Sequence, residues 1–226
     1  MSSDEMKRTA ALAALQHLPP TGVLGLGTGS TTRWFIEAVG ELCRGGRKLS
    51  CVPTSRASRT LAEQCGIPLL DDAGPWQIDV CVDGADEVSE QLDLIKGGGG
   101  AHTREKIVNQ AAKLNVIIVD ESKLVARLGE KFKVPLEVLP FGFHTTLAAL
   151  TAFGRPEVRL ASGAPYMSDS GNYIVDLATG PLAAPAELDA ALHALPGVVE
   201  TGLFIQRADV VVVAGRGGVS ERARAK

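Results

Sequence analysis

Aromatic side chains are scarce in this chain of 226 residues, at 4% of the total. That leaves too few rings for a base-stacking platform of the kind that single-stranded nucleic acid requires. An excess of one charge sign is lacking as well. The 23 basic and 26 acidic residues leave a formal net charge of −3, so no global field draws the chain to nucleic acid or to an acidic membrane. The four cysteines, Cys43, Cys51, Cys65 and Cys81, contain no C-x-x-C pair, and the four histidines are scattered. Metal-ligand spacing is therefore missing, and the cysteines read as free thiols in a reducing compartment. Long apolar runs are missing too: the longest early one, Ala10 to Leu15, follows acidic Asp4 and Glu5 and fits neither a signal peptide nor a membrane span. A composition of 45% hydrophobic and 22% charged residues describes a soluble globular protein, expected in the cytoplasm, with no nucleic-acid or membrane partner.

Glycine, by contrast, is concentrated. Lys96 is followed by Gly97, Gly98, Gly99 and Gly100, and then by a helix opening with Thr103, Arg104, Glu105 and Lys106. Consecutive glycine amides running into a helix N-terminus form a concave, electropositive backbone surface suited to an anion or a developing oxyanion. Lys96 adds a cation at one end and Glu105 a potential general base at the other. The competing reading is a surface loop before a helix with an ordinary acidic first turn.

Taken in order, Ser2 and Glu5 form a capping box for a helix expected to run to about Leu18, where Pro19 and Pro20 stop it. Lys7 lies in its first turns and reads as a solvated lysine. Gly22 to Leu26 is an apolar strand, followed by Gly27-Thr28-Gly29-Ser30-Thr31 and an amphipathic helix. The turn lacks the third glycine of G-x-G-x-x-G, and the next strand, Lys48 to Val52, ends in Pro53-Thr54-Ser55 with no acid for a ribose hydroxyl. No G-K-[ST] is present either, which leaves a hydroxyl-rich turn apt for a small phosphate ester, or a turn needed only for packing. A helix from Ala57 to Cys65 and a strand from Ile67 to Leu70 precede the buried strand Ile78 to Val82. That strand runs into Asp83-Gly84-Ala85-Asp86-Glu87. Carboxylates just past the carboxyl end of a strand lie where open α/β sheets bind ligands.

Leu92 to Ile95 reads as a strand delivering Lys96. In the helix that follows, Ile107, Val108, Ala111 and Leu114 form one apolar arc with Glu105 at its margin, and Lys106 and Lys113 are expected to face water. Asn115 to Val119 is another buried strand, leading into Asp120-Glu121-Ser122-Lys123. Beyond Leu128 the pattern changes to strand, helix, strand, strand, helix, strand, with the last strand from Val198 to Phe204. This βαββαβ order is ferredoxin-like. Ala208 to Ala214, with four successive valines, resembles a central parallel strand returning to the first sheet. The expected architecture is thus α/β: a Rossmann-like, mostly parallel sheet domain over residues 1–128 and 205–226, with an inserted smaller ferredoxin-like α+β domain over 129–204. The tail ERARAK is polar and expected to fray.

Five motifs together resemble ribose-5-phosphate isomerase of type A: GLGTGST at 25–31, VDGADE at 82–87, IKGGGGAHTREK at 95–106, DESK at 120–123 and PGVVETGLF at 196–204. The resemblance covers essentially the whole chain. It implies an aldose–ketose isomerase that interconverts D-ribose 5-phosphate and D-ribulose 5-phosphate through an enediolate, in the non-oxidative branch of the pentose phosphate pathway, with no metal or organic cofactor. Carried over by motif, Glu105 is the base, Lys96 and the Gly97, Gly98 and Gly99 amides stabilise the enediolate, and Asp83 helps open the sugar ring. Asp86 holds sugar hydroxyls beside Gly84 and Ala85. The turn Thr28, Gly29, Ser30 and Thr31 binds substrate, and Lys7 and Lys123 join Ser30 and Thr31 near the phosphate. The family also implies a homodimer, with a tetramer as the alternative. Three features depart from its pattern: Gly100, where alanine is usual; His102, a residue at a helix start for which the pattern gives no role; and VPTSRAS at 52–58, where the family has a serine-rich stretch after the second strand. A non-catalytic sugar-phosphate sensor and an isomerase of another phosphosugar are the rival readings. A sensor would need the phosphate turn but not Glu105.

Overall fold

The computed structural model describes residues 1–224. Helix α1 (Ser3–Ala13) begins as its first residues dictate: Ser2 Oγ accepts from the Glu5 N–H at 3.3 Å, and the Glu5 carboxylate accepts from the Ser2 N–H at 2.6 Å. Then follow β1 (Thr21–Leu26), α2 (Ser30–Arg44), β2 (Lys48–Pro53), α3 (Arg56–Gln64), β3 (Ile78–Asp83), β4 (Glu87–Val88), β5 (Leu94–Ile95), α4 (His102–Gln110) and β6 (Ala112–Asp120). The second half comprises β7 (Val134–Val138), α5 (Phe143–Leu150), β8 (Arg155–Val158), the short pair β9 (Leu160–Ala161) and β10 (Ala164–Pro165), then β11 (Tyr173–Ala178) and α6 (Pro185–His193). It closes with β12 (Val198–Thr201), β13 (Leu203–Phe204), β14 (Val210–Gly215) and β15 (Gly218–Ala223).

These elements form two compact units. The first takes Met1–Ala85, Arg104–Lys123 and the chain from Arg207 on; the second takes Asp86–Thr103 and Leu124–Gln206. The division differs from the boundaries expected at 128 and 205 chiefly in residues 86–103. They belong with the second unit because β4 and β5 pair with β13 in a three-stranded sheet that no local sequence signal announces.

In the first unit the sheet order is β15-β14-β6-β3-β1-β2, parallel throughout except for β15. Strands β1, β3, β6 and β14 are largely buried, which is why they read as continuous apolar runs, whereas the edge strand β15 is exposed. Leu24, Leu26, Val80, Val82, Val116 and Ile118 pack with Phe35, Ile36 and Val39 of α2 and with Ala10, Ala11 and Ala14. The opposite face carries Val52, Ile78 and Cys81 with Val108 of α4. Truncating a fully buried leucine such as Leu24 to alanine removes roughly 2–5 kcal/mol. Because β1 has β2 on one side and β3 on the other, the strand order reverses between β1 and β3. Their carboxyl ends, at Gly27 and Asp83, therefore flank the topological switch point, where such sheets bind ligands.

In the second unit the order β12-β7-β11-β8, antiparallel at every pairing, is that of a split βαββαβ fold. Val134, Leu136, Val138, Val175 and Leu177 form its core with Phe143, Leu150 and Leu192 of the helices.

Several local expectations fail for identifiable reasons. Ile67 to Leu70 forms no strand, only a bridge from Leu69 to Cys51. Helix α4 ends at Gln110 because Ala112 already pairs with Ile78, so Leu114 belongs to a strand and the apolar arc built on it does not exist. Ile107 is 53% exposed, whereas Lys106, expected in water, is buried. The run from Val198 to Phe204 breaks at Gly202, whose N–H donates to Pro135 at 2.7 Å while its carbonyl accepts from the Lys96 N–H at 2.8 Å. A Cβ there would stand 2.2 Å from the Lys96 carbonyl oxygen, so only glycine lets the chain pass between the two sheets. The polar tail, expected to fray, instead forms β15 as far as Ala223, and Arg224 donates its N–H to the Asp209 carbonyl. Ala225 and Lys226 lie outside the described residues.

Candidate active site

The first unit supplies the hydroxyl-rich turn. After β1, Gly27 approaches Asp83 so closely that a Cβ would lie 2.1 Å from its Oδ1. That oxygen accepts from the Thr28 N–H at 3.1 Å and the Gly84 N–H at 2.7 Å, and Asp83 is 3% exposed. The hydroxyl of Thr28 lies 2.8 Å from those of Thr54 and Ser55 and 3.2 Å from that of Ser58. Ser58 in turn donates to the Gly27 carbonyl at 2.6 Å, and Thr54 to that of Leu26 at 3.1 Å. The turn therefore rests on a hydroxyl cluster beneath it. Gly29 takes φ +124° and starts α2 with no side-chain cap, leaving the first amides of a 15-residue helix beside exposed Ser30 and half-buried Thr31. Such a terminus attracts anions.

Lys7 lies on α1, which packs against α2, with its ammonium 3.6 Å from the Asp4 carboxylate. Lys123 closes a short 3-10 turn directly after β6 and is half-buried, as are Gly84 and Ala85 after β3. Glu105 sits in α4, 4% exposed.

The second unit carries the glycine run. Asp86 accepts from the Gly98 N–H at 2.8 Å, and a Cβ on Gly98 would stand 2.7 Å from the same carboxylate. Lys96 is 3% exposed, with its ammonium 5.5 Å from the Phe204 ring centroid, a cation held over an aromatic face away from bulk water. Gly97 takes φ +107°, and its missing side chain makes room for the His102 ring, whose Nδ1 would be 2.6 Å from a Cβ. His102, the residue at a helix start for which the pattern gave no role, is fully buried in the first turn of α4 and packs against Gly97. Of the three acids after β3, Glu87 proves structural: fully buried, it accepts from the N–H groups of Gly129 at 2.6 Å, Phe132 at 2.7 Å and Lys131.

Among the described residues no group of three or more His, Cys, Asp and Glu side chains is placed to hold a metal ion, and no helix is long and apolar enough to cross a membrane.

The sequence model of ribose 5-phosphate isomerase A (phosphoriboisomerase A) matches residues 50–218. A ribose-5-phosphate isomerase A of Rhodopseudomonas palustris is 48% identical over 97% of each chain, and one of Thermosynechococcus vestitus is 45% identical over 94% of each. The chain belongs to the ribose 5-phosphate isomerase A family. Solved structures agree throughout the fold. A D-ribose-5-phosphate isomerase in complex with phospho-erythronic acid superposes with a TM-score of 0.96 at 40% identity, covering 99% of this chain and all of that one. The ribose 5-phosphate isomerase A of Methanocaldococcus jannaschii gives 0.93 at 39% identity, covering 98% and 100%.

Against the family pattern, Gly100 acquires a reason. It takes φ +73°, and a Cβ there would meet the Tyr166 ring at 2.5 Å, so in this chain Tyr166 occupies the space an alanine would need. Tyr166 and Arg159 are residues that sequence reasoning missed. Both lie in the second unit, and both donate to the glycine run: Arg159 Nη1 to the carbonyls of Gly97 at 2.9 Å and Gly98 at 3.0 Å, and the Tyr166 hydroxyl to that of Gly99 at 3.2 Å. Nothing in the stretch RPEVRLASGAPY marks them. Thr54, Ser55 and Ser58 fall in the VPTSRAS stretch after the second strand, to which the sequence reading gave no role.

Proposed function

We propose that the chain interconverts D-ribose 5-phosphate and D-ribulose 5-phosphate by proton transfer through an enediolate, as a step of the non-oxidative pentose phosphate pathway. The observation that carries the activity is identity of 45–48% to family members over nearly the whole of both chains. In this reading the Glu105 carboxylate removes the C2 proton of the open-chain aldose and returns it to C1. Negative charge passes through O1 and O2, and the proton on O2 moves to O1 to leave the ketose. A positioned carboxylate of this kind contributes about 10²–10⁴-fold.

The charge on the enediolate requires preorganised donors. Lys96 and the Gly97 and Gly99 amides fill that role, supported by the burial of Lys96, whereas the Gly98 N–H, expected to join them, already donates to Asp86. Asp83 assists ring opening, Asp86 holds a sugar hydroxyl, and Gly84 and Ala85 line the substrate. Thr28 to Thr31 receive the phosphate with Lys7 and Lys123, supported by the uncapped start of α2. The phospho-erythronic acid bound by the related enzyme suits this arrangement, since it joins a phosphate to a planar carboxylate that resembles the enediolate. The reading also takes the enzyme to be a cytoplasmic homodimer without metal or organic cofactor. In support of a reducing compartment, all four cysteines are free, and burial raises the thiols of Cys43, Cys51 and Cys65 above their usual range.

A coupled assay of ribulose 5-phosphate formation, run on wild type and Glu105→Gln, tests the core of the proposal. The wild type turns over and the variant binds phosphosugar without doing so. Near wild-type turnover by Glu105→Gln would remove Glu105 as the base.

A further inference from the structure

The glycine run is gripped at three successive carbonyls by Arg159 and Tyr166, and at one amide by Asp86. Arg159 reaches from the end of β8, its guanidinium fixed by the Asp176 carboxylate of β11 through Nε at 2.9 Å and through Nη2. Its remaining donor, Nη1, bridges the carbonyl oxygens of Gly97 and Gly98. Gly98 borders a cleft of about 320 Å³ lined also by Lys131, Phe132, Lys133, Arg159 and Asp176.

A trans peptide points its N–H opposite to its C=O. A carbonyl drawn toward Arg159 therefore turns the next amide away from it. With the Gly97 carbonyl on Arg159, the Gly98 N–H points to Asp86, where it donates at 2.8 Å. With the Gly98 carbonyl on Arg159, the Gly99 N–H is likewise directed away from the guanidinium. Tyr166 repeats the pattern one residue on, taking the Gly99 carbonyl while the Gly100 N–H donates to Gly97 at 2.9 Å. The guanidinium also polarises the two peptides it bonds, strengthening their N–H groups as donors.

We infer that Arg159, held by Asp176, is a positioning residue for the isomerisation: by gripping the Gly98 carbonyl it aims the Gly99 amide at the anionic intermediate without touching substrate. The inference rests on the assignment of that amide to the enediolate. Amides aimed at a charge that develops only during reaction act on turnover rather than on ground-state binding. Arg159→Ala should therefore lower kcat by roughly 10- to 100-fold, the scale of a small misplacement of catalytic groups, with KM changed by less than about threefold. Inhibition by phospho-erythronic acid should weaken by about the same factor as kcat/KM falls. Arg159→Lys retains the charge but cannot grip two carbonyls and a carboxylate at once, so it should restore part of kcat.

The experiment measures kcat, KM, the phospho-erythronic acid inhibition constant and the unfolding midpoint for Arg159→Ala, Arg159→Lys, Asp176→Asn and Lys96→Ala in the full chain. A kcat loss with near-native midpoint, graded from alanine through asparagine at Asp176 to lysine, supports the inference. Should Arg159→Ala fold poorly, Arg159→Lys decides: full wild-type kcat in that variant overturns it, as does a loss confined to KM. If Lys96→Ala lowers kcat and the Arg159 variants do not, the positioning role is wrong and the assignment of the glycine run stands. If none lowers kcat, the glycine-run assignment falls and the positioning role with it.

Discussion

The turns Gly27–Ser30 and Gly97–Gly100 have similar letters, each a glycine cluster delivering the chain to a helix, but they are held from opposite sides of the backbone. The first is held from below by hydroxyls, with Thr28, Thr54, Ser55 and Ser58 joined in one cluster and its helix amides left open. The second is held by its carbonyls, through Arg159 and Tyr166, and by Asp86 at one amide. An open helix terminus presents several diffuse donors and suits a dianion that keeps its charge throughout the reaction. A loop gripped at successive carbonyls fixes individual amides in direction, which suits charge appearing on particular oxygens. Glycine content alone predicts neither use. What the backbone is tied to decides.

If that contrast is right, substitutions at the second turn act on kcat and those at the first on substrate affinity. The largest effect belongs to Glu105→Gln, with kcat down about 10²–10⁴-fold and phosphosugar binding retained, read by the coupled assay together with calorimetric titration. Lys96→Ala comes next: loss of one donor to an oxyanion costs about 10²–10³-fold in kcat. A pure rise in KM would instead make Lys96 a ground-state contact and erase the contrast. At the first turn, Thr28→Val removes the hydroxyl shared with Thr54, Ser55 and Ser58. KM should rise by roughly 5- to 30-fold, equivalent to about 1–2 kcal/mol for a buried hydrogen-bonded hydroxyl, with kcat less affected. A larger fall in kcat than rise in KM would show that the two turns are not functionally separate.

The legible part of the molecule is the part decided locally. The capping box at Ser2, the strands ending at Leu26 and Asp83, the four valines of β14 and the βαββαβ order all follow from spacing and composition within a few residues. The acids and glycines proposed for the site stood out because their chemistry is unusual for a loop. What escaped was decided by distant partners. Gly202 splits a continuous-looking strand because Pro135 and Lys96 claim its backbone. Leu114 leaves the helix because β6 begins early and pairs Ala112 with Ile78. Arg159 looks like any strand arginine until the carbonyls of Gly97 and Gly98, about sixty residues away in sequence, are seen to meet it. The Asp83 and Glu87 carboxylates, four residues apart, have unrelated surroundings that only tertiary structure reveals.

The same distinction runs along a single strand and yields the smallest effect. Strand β3 carries Asp79 near its amino end and Asp83 at its carboxyl end. Asp79 accepts from the Lys113 ammonium at 2.7 Å and from the Val23 N–H at 3.0 Å, and the lysine, followed by the amide, holds its carboxyl below the usual range. A depressed carboxyl stabilises the fold at any pH above its unfolded value near 4, and that contribution is lost as pH falls through the lower, folded value. Asp79→Asn should therefore cost about 1 kcal/mol near neutral pH, the scale of a charge-assisted bond whose lysine is largely in solvent. The cost should shrink toward zero in acid, giving a flatter acid limb of the unfolding midpoint than wild type, with kcat unchanged because the amino end of the strand is the end that α/β sheets do not use for ligands. A stability difference that persists undiminished at pH 2, or a change in kcat, would show that this aspartate does more than tie β3 to β1 and β6.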